Sequence, residues 1–378
     1  MKLASSAAHL TYCTNIHPGE SWPEVRANVE RHVVAVKALV CPDAPFGVGL
    51  RLSSRAAEEL RQPHELAAFA AFLKAHGLYV FTINGFPYGA FHETRVKENV
   101  YLPDWRDPAR GRYSACLAEI LAALLPEGMG GSVSTVPGAF RSAAPTPEDA
   151  ARIAHELIDH AATLVRILET SQEAVRFFEE HLFDSAASAR LASLTGQSLT
   201  QAEASVRRHL GVCFDACHAA VEFEDARASL AALDGAGIAI AKIQITTALE
   251  ARVEGSPLRR ELARFADDVY LHQVVIERDG ALERYVDLPE ALARGPDGLW
   301  RVHFHVPVFQ RELGSFQSTQ PHLRDVLAVV RERGVTRHLE IETYTWDVIP
   351  GAFRAGDAVS AIAREIAWTR AELERAAP

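Results

Sequence analysis

Short apolar runs, each ending in polar residues and followed by a helix-like stretch, recur along the whole chain. That alternation restricts the fold more than any other feature, because strand, crossover helix and next strand make a parallel pair. Strands are expected at Leu10–Thr14, Phe46–Leu52, Leu78–Ile83, Ser132–Val136, Val212–Asp215, Ile238–Ile245, Val302–Val308 and His338–Tyr344. Helices are expected between them, with capping boxes at Ser21/Glu24 and Thr170/Glu173. Tyr270–Glu277 and Leu282–Tyr285 flank Arg278-Asp279-Gly280 and read as a β-hairpin inserted at about 268–287. The expected fold is a single (β/α)8 TIM barrel over residues 1–378, with a doubly wound open sheet as the alternative. No Gly-x-Gly-x-x-Gly follows the first strand and no Walker-type loop occurs, so nucleotide binding has no motif behind it.

One stretch breaks the rhythm. Residues 137–211 hold no convincing strand where an even barrel would place one, and only Leu164–Leu168 is a candidate. Either that barrel strand is degenerate or a segment near Ile167–Leu168 is missing from the sequence.

The polar residues at the strand ends are the candidate site. Val212-Cys213-Phe214-Asp215 is a short apolar strand ending in a carboxylate, with His218 three residues on. Carboxylate and neutral imidazole together suit a borderline divalent metal, whereas the plainer alternative makes Asp215 a helix cap. His303 and His305 are two apart in an expected strand and so face one side, as do Glu340 and Glu342. Asp215, His218, His303, His305 and Glu342 are the candidate metal ligands, with Glu342 and His218 as candidate catalytic groups. Asn15, His17, Arg51, Asn84, His92, Gln244, His272 and Glu340 are candidate substrate contacts, offering hydrogen bonds to hydroxyls and, from Arg51, a partner for an anion.

Charge and cysteine content narrow the function. A net charge of −10 argues against binding a phosphate backbone. No apolar run reaches membrane-spanning length, and no signal peptide is expected at the N-terminus. The five cysteines are odd in number and lack CxxC spacing, which fits reduced thiols in a cytoplasmic protein. Cys213 and Cys217 are expected to be buried, inert thiols.

Thr11-Tyr12-Cys13-Thr14-Asn15-Ile16-His17-Pro18-Gly19-Glu20, Thr82-Ile83-Asn84-Gly85-Phe86-Pro87-Tyr88-Gly89, Val302-His303-Phe304-His305-Val306-Pro307 and Glu340-Ile341-Glu342-Thr343-Tyr344-Thr345-Trp346 together resemble the EboE family. Those are metabolite traffic proteins with a xylose-isomerase-like barrel, and the resemblance runs along nearly the whole chain. It implies a TIM barrel with a divalent-metal site (Zn, Mn, Mg, Co or Fe) at its top face. Asp215-Ala216-Cys217-His218 matches the superfamily's Asp-x-x-His, and Glu342 its metal-binding Glu on the last strand. His303-Phe304-His305 is similar to an Asp-x-His pair of the endonuclease IV branch, with His in place of Asp. Two departures stand out. Gln244 occupies the place of a metal-binding His, and a Glu-Pro-Glu-Pro stretch expected before Leu168-Glu169-Thr170 is absent. The expected function is a metal-dependent sugar or sugar-phosphate isomerase or epimerase acting on a small hydroxylated metabolite. The alternatives are a non-catalytic metabolite-binding or traffic protein and an endonuclease IV-like phosphodiesterase.

Overall fold

The computed structural model describes residues 1–90, 92, 97–136, 146–159, 170–351 and 356–375. The suggested strand Leu164–Leu168 and the Ile167–Leu168 junction lie outside them. The described residues form a mixed α/β fold with two parallel sheets and one antiparallel sheet. The strands are β1 (His9–Tyr12), β2 (Phe46–Arg51), β3 (Leu78–Gly85), β4 (Ser132–Thr135), β5 (Gly211–Asp215), β6 (Ala239–Ile245) and β7 (Leu249–Val253), then β8 (Val274–Arg278), β9 (Ala281–Tyr285), β10 (Gly298–Val302), β11 (Glu312–Leu313), β12 (Phe316–Ser318) and β13 (His338–Ile341).

One parallel sheet has the order β1-β13-β6-β5 and the other β2-β3-β4. A parallel bridge from Cys13 to Gly49 joins them at β1 and β2. The strands of these two sheets are largely buried, polar residues included, and β2 is buried along its full length. Both expected capping boxes form, at Ser21/Glu24 and Thr170/Glu173, and they start helices where the sequence placed them. Helices Ser54–Leu60, Ser185–Thr195 and Gln320–Arg333 are among those that fill the intervals between the strands. Among the described residues no helix is long and apolar enough to cross a membrane.

Register decides which polar side chains meet. Thr11, Glu340, Gln244 and Asp215 are successive partners across β1, β13, β6 and β5, so they share one face of the sheet. On that face Lys242 Nζ lies 2.7 Å from Glu340 Oε2, and neither side chain is more than 1% exposed. Asn84 Nδ2 donates to both Glu340 oxygens at 2.9 Å, while Lys242 donates to Asn84 Oδ1 and Ser134 Oγ. A charged pair this deep persists only when its remaining hydrogen-bonding capacity is met, and Asn84 and Ser134 meet it. Gly49 leaves room for it: an added Cβ would overlap Glu340 Oε1 and lie 2.6 Å from the Tyr12 carbonyl oxygen. Gly49→Ala is therefore expected to cost about 1–3 kcal/mol, read from the urea midpoint. An unchanged midpoint would mean that β1 and β2 are not held this close.

The hairpin β8–β9 forms, and it belongs to a larger unit than the expected insertion. It is the edge of a six-stranded sheet ordered β11-β12-β7-β10-β8-β9, built from the chain between β6 and β13. This sheet has its own apolar core, including Phe265, Ile276, Trp300, Phe304 and Phe316. Val302–Val308, expected as one strand, is a strand only up to Val302, where β10 runs antiparallel to β7 and β8. His303 to Val308 continue as irregular chain toward the ends of the parallel strands.

Candidate metal centre

Asp215 is the last residue of β5 and caps the helix Ala216–Val221. Its Oδ1 accepts hydrogen bonds from Cys217 N (2.8 Å), His218 N (3.5 Å) and Thr246 Oγ1 (2.6 Å). The capping alternative is therefore correct for this carboxylate, and it also fixes the first helical turn that carries Cys217 and His218. The His218 ring lies 4.1 Å from the His303 ring. His303 and His305 enter from the antiparallel sheet, anchored by His303 N to the Gln273 carbonyl and by Val306 N to the Thr247 carbonyl. Their Nε2 atoms are 3.3 Å apart.

Two groups of donor atoms converge here, Asp215/His218/His303 and Cys217/His303/His305, each with its ligand atoms within 4.8 Å of one another. His305 Nδ1 faces the Glu342 carbonyl oxygen at 2.5 Å, so the neutral ring donates there and turns its Nε2 lone pair inward. That is the arrangement in which an imidazole ligates a metal. Burial and neighbouring imidazoles push the pKa of His303 well below 6.5 and that of His305 to about 4. Both rings are neutral at pH 7, as ligation requires. Nitrogen, oxygen and sulfur donors in one buried cluster fit a borderline divalent ion.

Glu342 follows β13 and accepts a 2.6 Å hydrogen bond from Asn15 Nδ2. Burial, reinforced by the nearby charges of Asp215 and Glu340, raises its pKa to about 8. A cation placed among these groups would draw the proton off, so ion uptake is expected to strengthen as pH rises toward 8. Isothermal titration between pH 6 and 8.5 measures this, and pH-independent affinity would remove Glu342 from the site.

The other predicted residues separate into two sets. Asn15 and Gln244 belong with the site: both are buried, and Asn15 Oδ1 and Gln244 Oε1 accept no hydrogen bond from any described residue. Arg51 does not offer its charge to a ligand. It donates to the carbonyls of Gly19, Pro87 and Gly89 and pairs with Glu20 at 3.0 Å, tying two loops together. Asn84 and Glu340 are consumed in the internal network beneath the site. His17 stacks on His32 at 4.2 Å and bonds the Tyr12 hydroxyl, and it belongs to neither donor group. His92 bridges the Asn15 carbonyl (2.6 Å) and the Tyr270 hydroxyl (3.1 Å). His272 precedes β8 and is fully buried, with its ring between Asp267 (2.5 Å) and the His303 carbonyl (3.0 Å). With both ring nitrogens engaged, it steadies the backbone of a site residue and is not offered to a substrate.

Cys217 is buried as expected, and burial with the nearby Asp215 and Glu342 charges pushes its thiol pKa well above the usual value, while its Sγ lies among the donor atoms. Two contributors were missed. Lys242 precedes Gln244 by two on β6 and so shares its face, a period-two signal present in the sequence. Glu365, on the helix Ala358–Leu373, gave no sequence signal. It accepts from Val308 N (3.1 Å) and Thr343 Oγ1 (2.7 Å), tying the chain after His305 to the chain after Glu342. Burial raises its pKa from 4.5 to about 7. Since the folded value is the higher one, its stabilising contribution is complete below about pH 4.5 and disappears as pH rises through 7, a difference of about 3 kcal/mol at most. Glu365→Gln is expected to flatten the stability profile between those pH values. Parallel profiles for the two proteins would show that Glu365 ionises without penalty.

Compared with known proteins, the chain matches no family model, no curated protein and no solved structure.

Proposed function

We propose that this chain is a divalent-metal-dependent enzyme of the sugar isomerase or epimerase type, related to the EboE family. The observation that carries the proposal is the convergence of neutral, oriented imidazoles with Asp215 at the C-terminal end of β5. In parallel α/β folds that end of the strands is where chemistry is placed. The finer fold in this reading is a (β/α)8-type barrel. It is supported by the sequential strand orders β2-β3-β4 and β1-β13-β6-β5 and by the Cys13–Gly49 bridge between them.

Within this reading each residue has a defined task. Asp215, His218, His303 and His305 would hold the ion, which supplies Lewis-acid polarisation of neighbouring substrate oxygens. Asn15 orients Glu342, which a bound ion would keep deprotonated and so able to take a proton from carbon and return it. The unpartnered Asn15 Oδ1 and Gln244 Oε1 are acceptors for two hydroxyl groups of a polyol, since buried polar atoms are normally paired. The negative net charge disfavours the phosphodiesterase alternative, and a small metabolite in the cytoplasm remains the expected partner.

The test combines metal content with turnover. Protein purified without chelator should carry about one equivalent of a transition metal by mass spectrometry. Loaded with Mn²⁺, Co²⁺, Mg²⁺ or Zn²⁺, it should exchange a carbon-bound hydrogen of an aldose or ketose with deuterated solvent. A second reading, binding without turnover, is favoured by Gln244, which bonds Asn84 at 3.3 Å where a ligating imidazole would be expected. Sugar-induced thermal stabilisation with no exchange across a broad panel would select it. Neither stabilisation nor exchange would dismiss both.

A further inference from the structure

The donor cluster contains a group that the isomerase reading does not use. Cys217 is fully buried, one residue from His218, and its Sγ lies within 4.8 Å of ligand nitrogens of both His303 and His305. We propose that Cys217 is itself a metal ligand, completing a Cys217/His303/His305 set that selects a thiophilic ion, Zn²⁺ above all, over Mg²⁺ or Mn²⁺. This rests on the presence of an ion at the centre described above and goes further, in naming a sulfur ligand and the class of ion.

Three observations support it. First, the 3.3 Å between the two Nε2 atoms is the edge expected of a tetrahedral ion with Zn–N bonds of about 2.0–2.1 Å, which places its nitrogens about 3.3–3.4 Å apart. It exceeds the usual donor–acceptor range of about 2.7–3.2 Å for a direct N–H hydrogen bond. Second, Cys217 is held in place: its backbone N–H points to Asp215 Oδ1 and Thr246 Oγ1, both at 2.8 Å. Third, Asp215 Oδ1 already accepts three hydrogen bonds. That oxygen therefore serves chiefly to position the turn bearing Cys217 and His218. On binding, the S–H bond gives way to a sulfur–metal bond and the proton leaves to solvent, as for other thiolate ligands. Thiolate and imidazole together suit zinc, whereas magnesium and manganese take oxygen donors.

The test is spectroscopic and needs no substrate. The protein loaded with one equivalent of Co²⁺ should show a near-ultraviolet thiolate-to-cobalt charge-transfer band. Cys217→Ser should abolish that band and weaken Co²⁺ binding by more than about tenfold, and Cys41→Ser, a remote thiol, should retain both. Stoichiometric cobalt without the band, or a band that survives Cys217→Ser, would overturn the sulfur ligand while leaving the metal centre in place. Failure to bind cobalt or zinc stoichiometrically would overturn the centre too. If Cys217→Ser does not fold, zinc-edge X-ray absorption of the unaltered protein decides. One sulfur at about 2.3 Å supports the proposal, and only nitrogen and oxygen at about 2.0–2.2 Å refutes it.

Discussion

Lys242→Met is expected to destabilise this protein by about 3–5 kcal/mol, a large share of what a folded domain possesses. Lys242 and Glu340 are at most 1% exposed and 2.7 Å apart, so removing the ammonium strands a carboxylate that water cannot reach. The loss would not stop there, because Asn84 Oδ1 and Ser134 Oγ would each lose a donor that Lys242 supplies. Methionine fills the space of the lysine stem, so the cost isolates the charge from the packing. The double variant Lys242→Met/Glu340→Gln should recover much of the loss, since a neutral amide can still accept from Asn84. Urea unfolding of the four proteins in this cycle is the measurement. A single-variant loss below about 1 kcal/mol, with no recovery in the double variant, would mean that the pair is not buried as described. The functional consequence is indirect but specific. Gln244 Nε2 rests on Asn84 Oδ1, so a disturbed network should also loosen the floor of the candidate metal centre.

His303→Ala is expected to have the largest effect on the centre itself. His303 belongs to both donor groups, whereas His218 and His305 each belong to one. Its removal should therefore lower metal content from stoichiometric to background, while His218→Ala retains part of it. The same contrast should appear in stability. Free ion at a hundred times its dissociation constant stabilises the native state by about 2.7 kcal/mol, and that increment should vanish in His303→Ala. The imidazole lies against His305 and His218 and is pushed far toward neutrality by burial, so alanine removes a ligand and no charge. Undiminished metal in His303→Ala would place any ion elsewhere. Equal loss in His218→Ala and His303→Ala would indicate that the Asp215/His218/His303 group holds the ion in preference to the cysteine group.

Much of this centre could be read locally. Asp215 with His218, the same-side pair His303 and His305, and Glu342 beyond an apolar strand are each defined within a few residues. So are the capping boxes that start the helices after β1 and before β5. The reason is physical: strand periodicity, helix capping and turn formation depend on neighbours in sequence, so they leave their pattern there. The candidate substrate residues were less legible. Arg51 at a strand end looks the same in sequence whether it meets a ligand or, as here, three backbone carbonyls and Glu20.

What the tertiary structure alone decided is which distant groups meet. Lys242 finds Glu340 across 98 residues and Asn84 finds it across 256, through a register that no local pattern specifies. The chain bearing His303 and His305 was readable as a strand but not as an extension from an antiparallel sheet, because pairing direction is set by partners in β7 and β8. Cys217 shows the same limit most plainly. One helical turn fixes where its thiol starts, but only the packing of a separate sheet against the helix Ala216–Val221 brings two imidazoles to it.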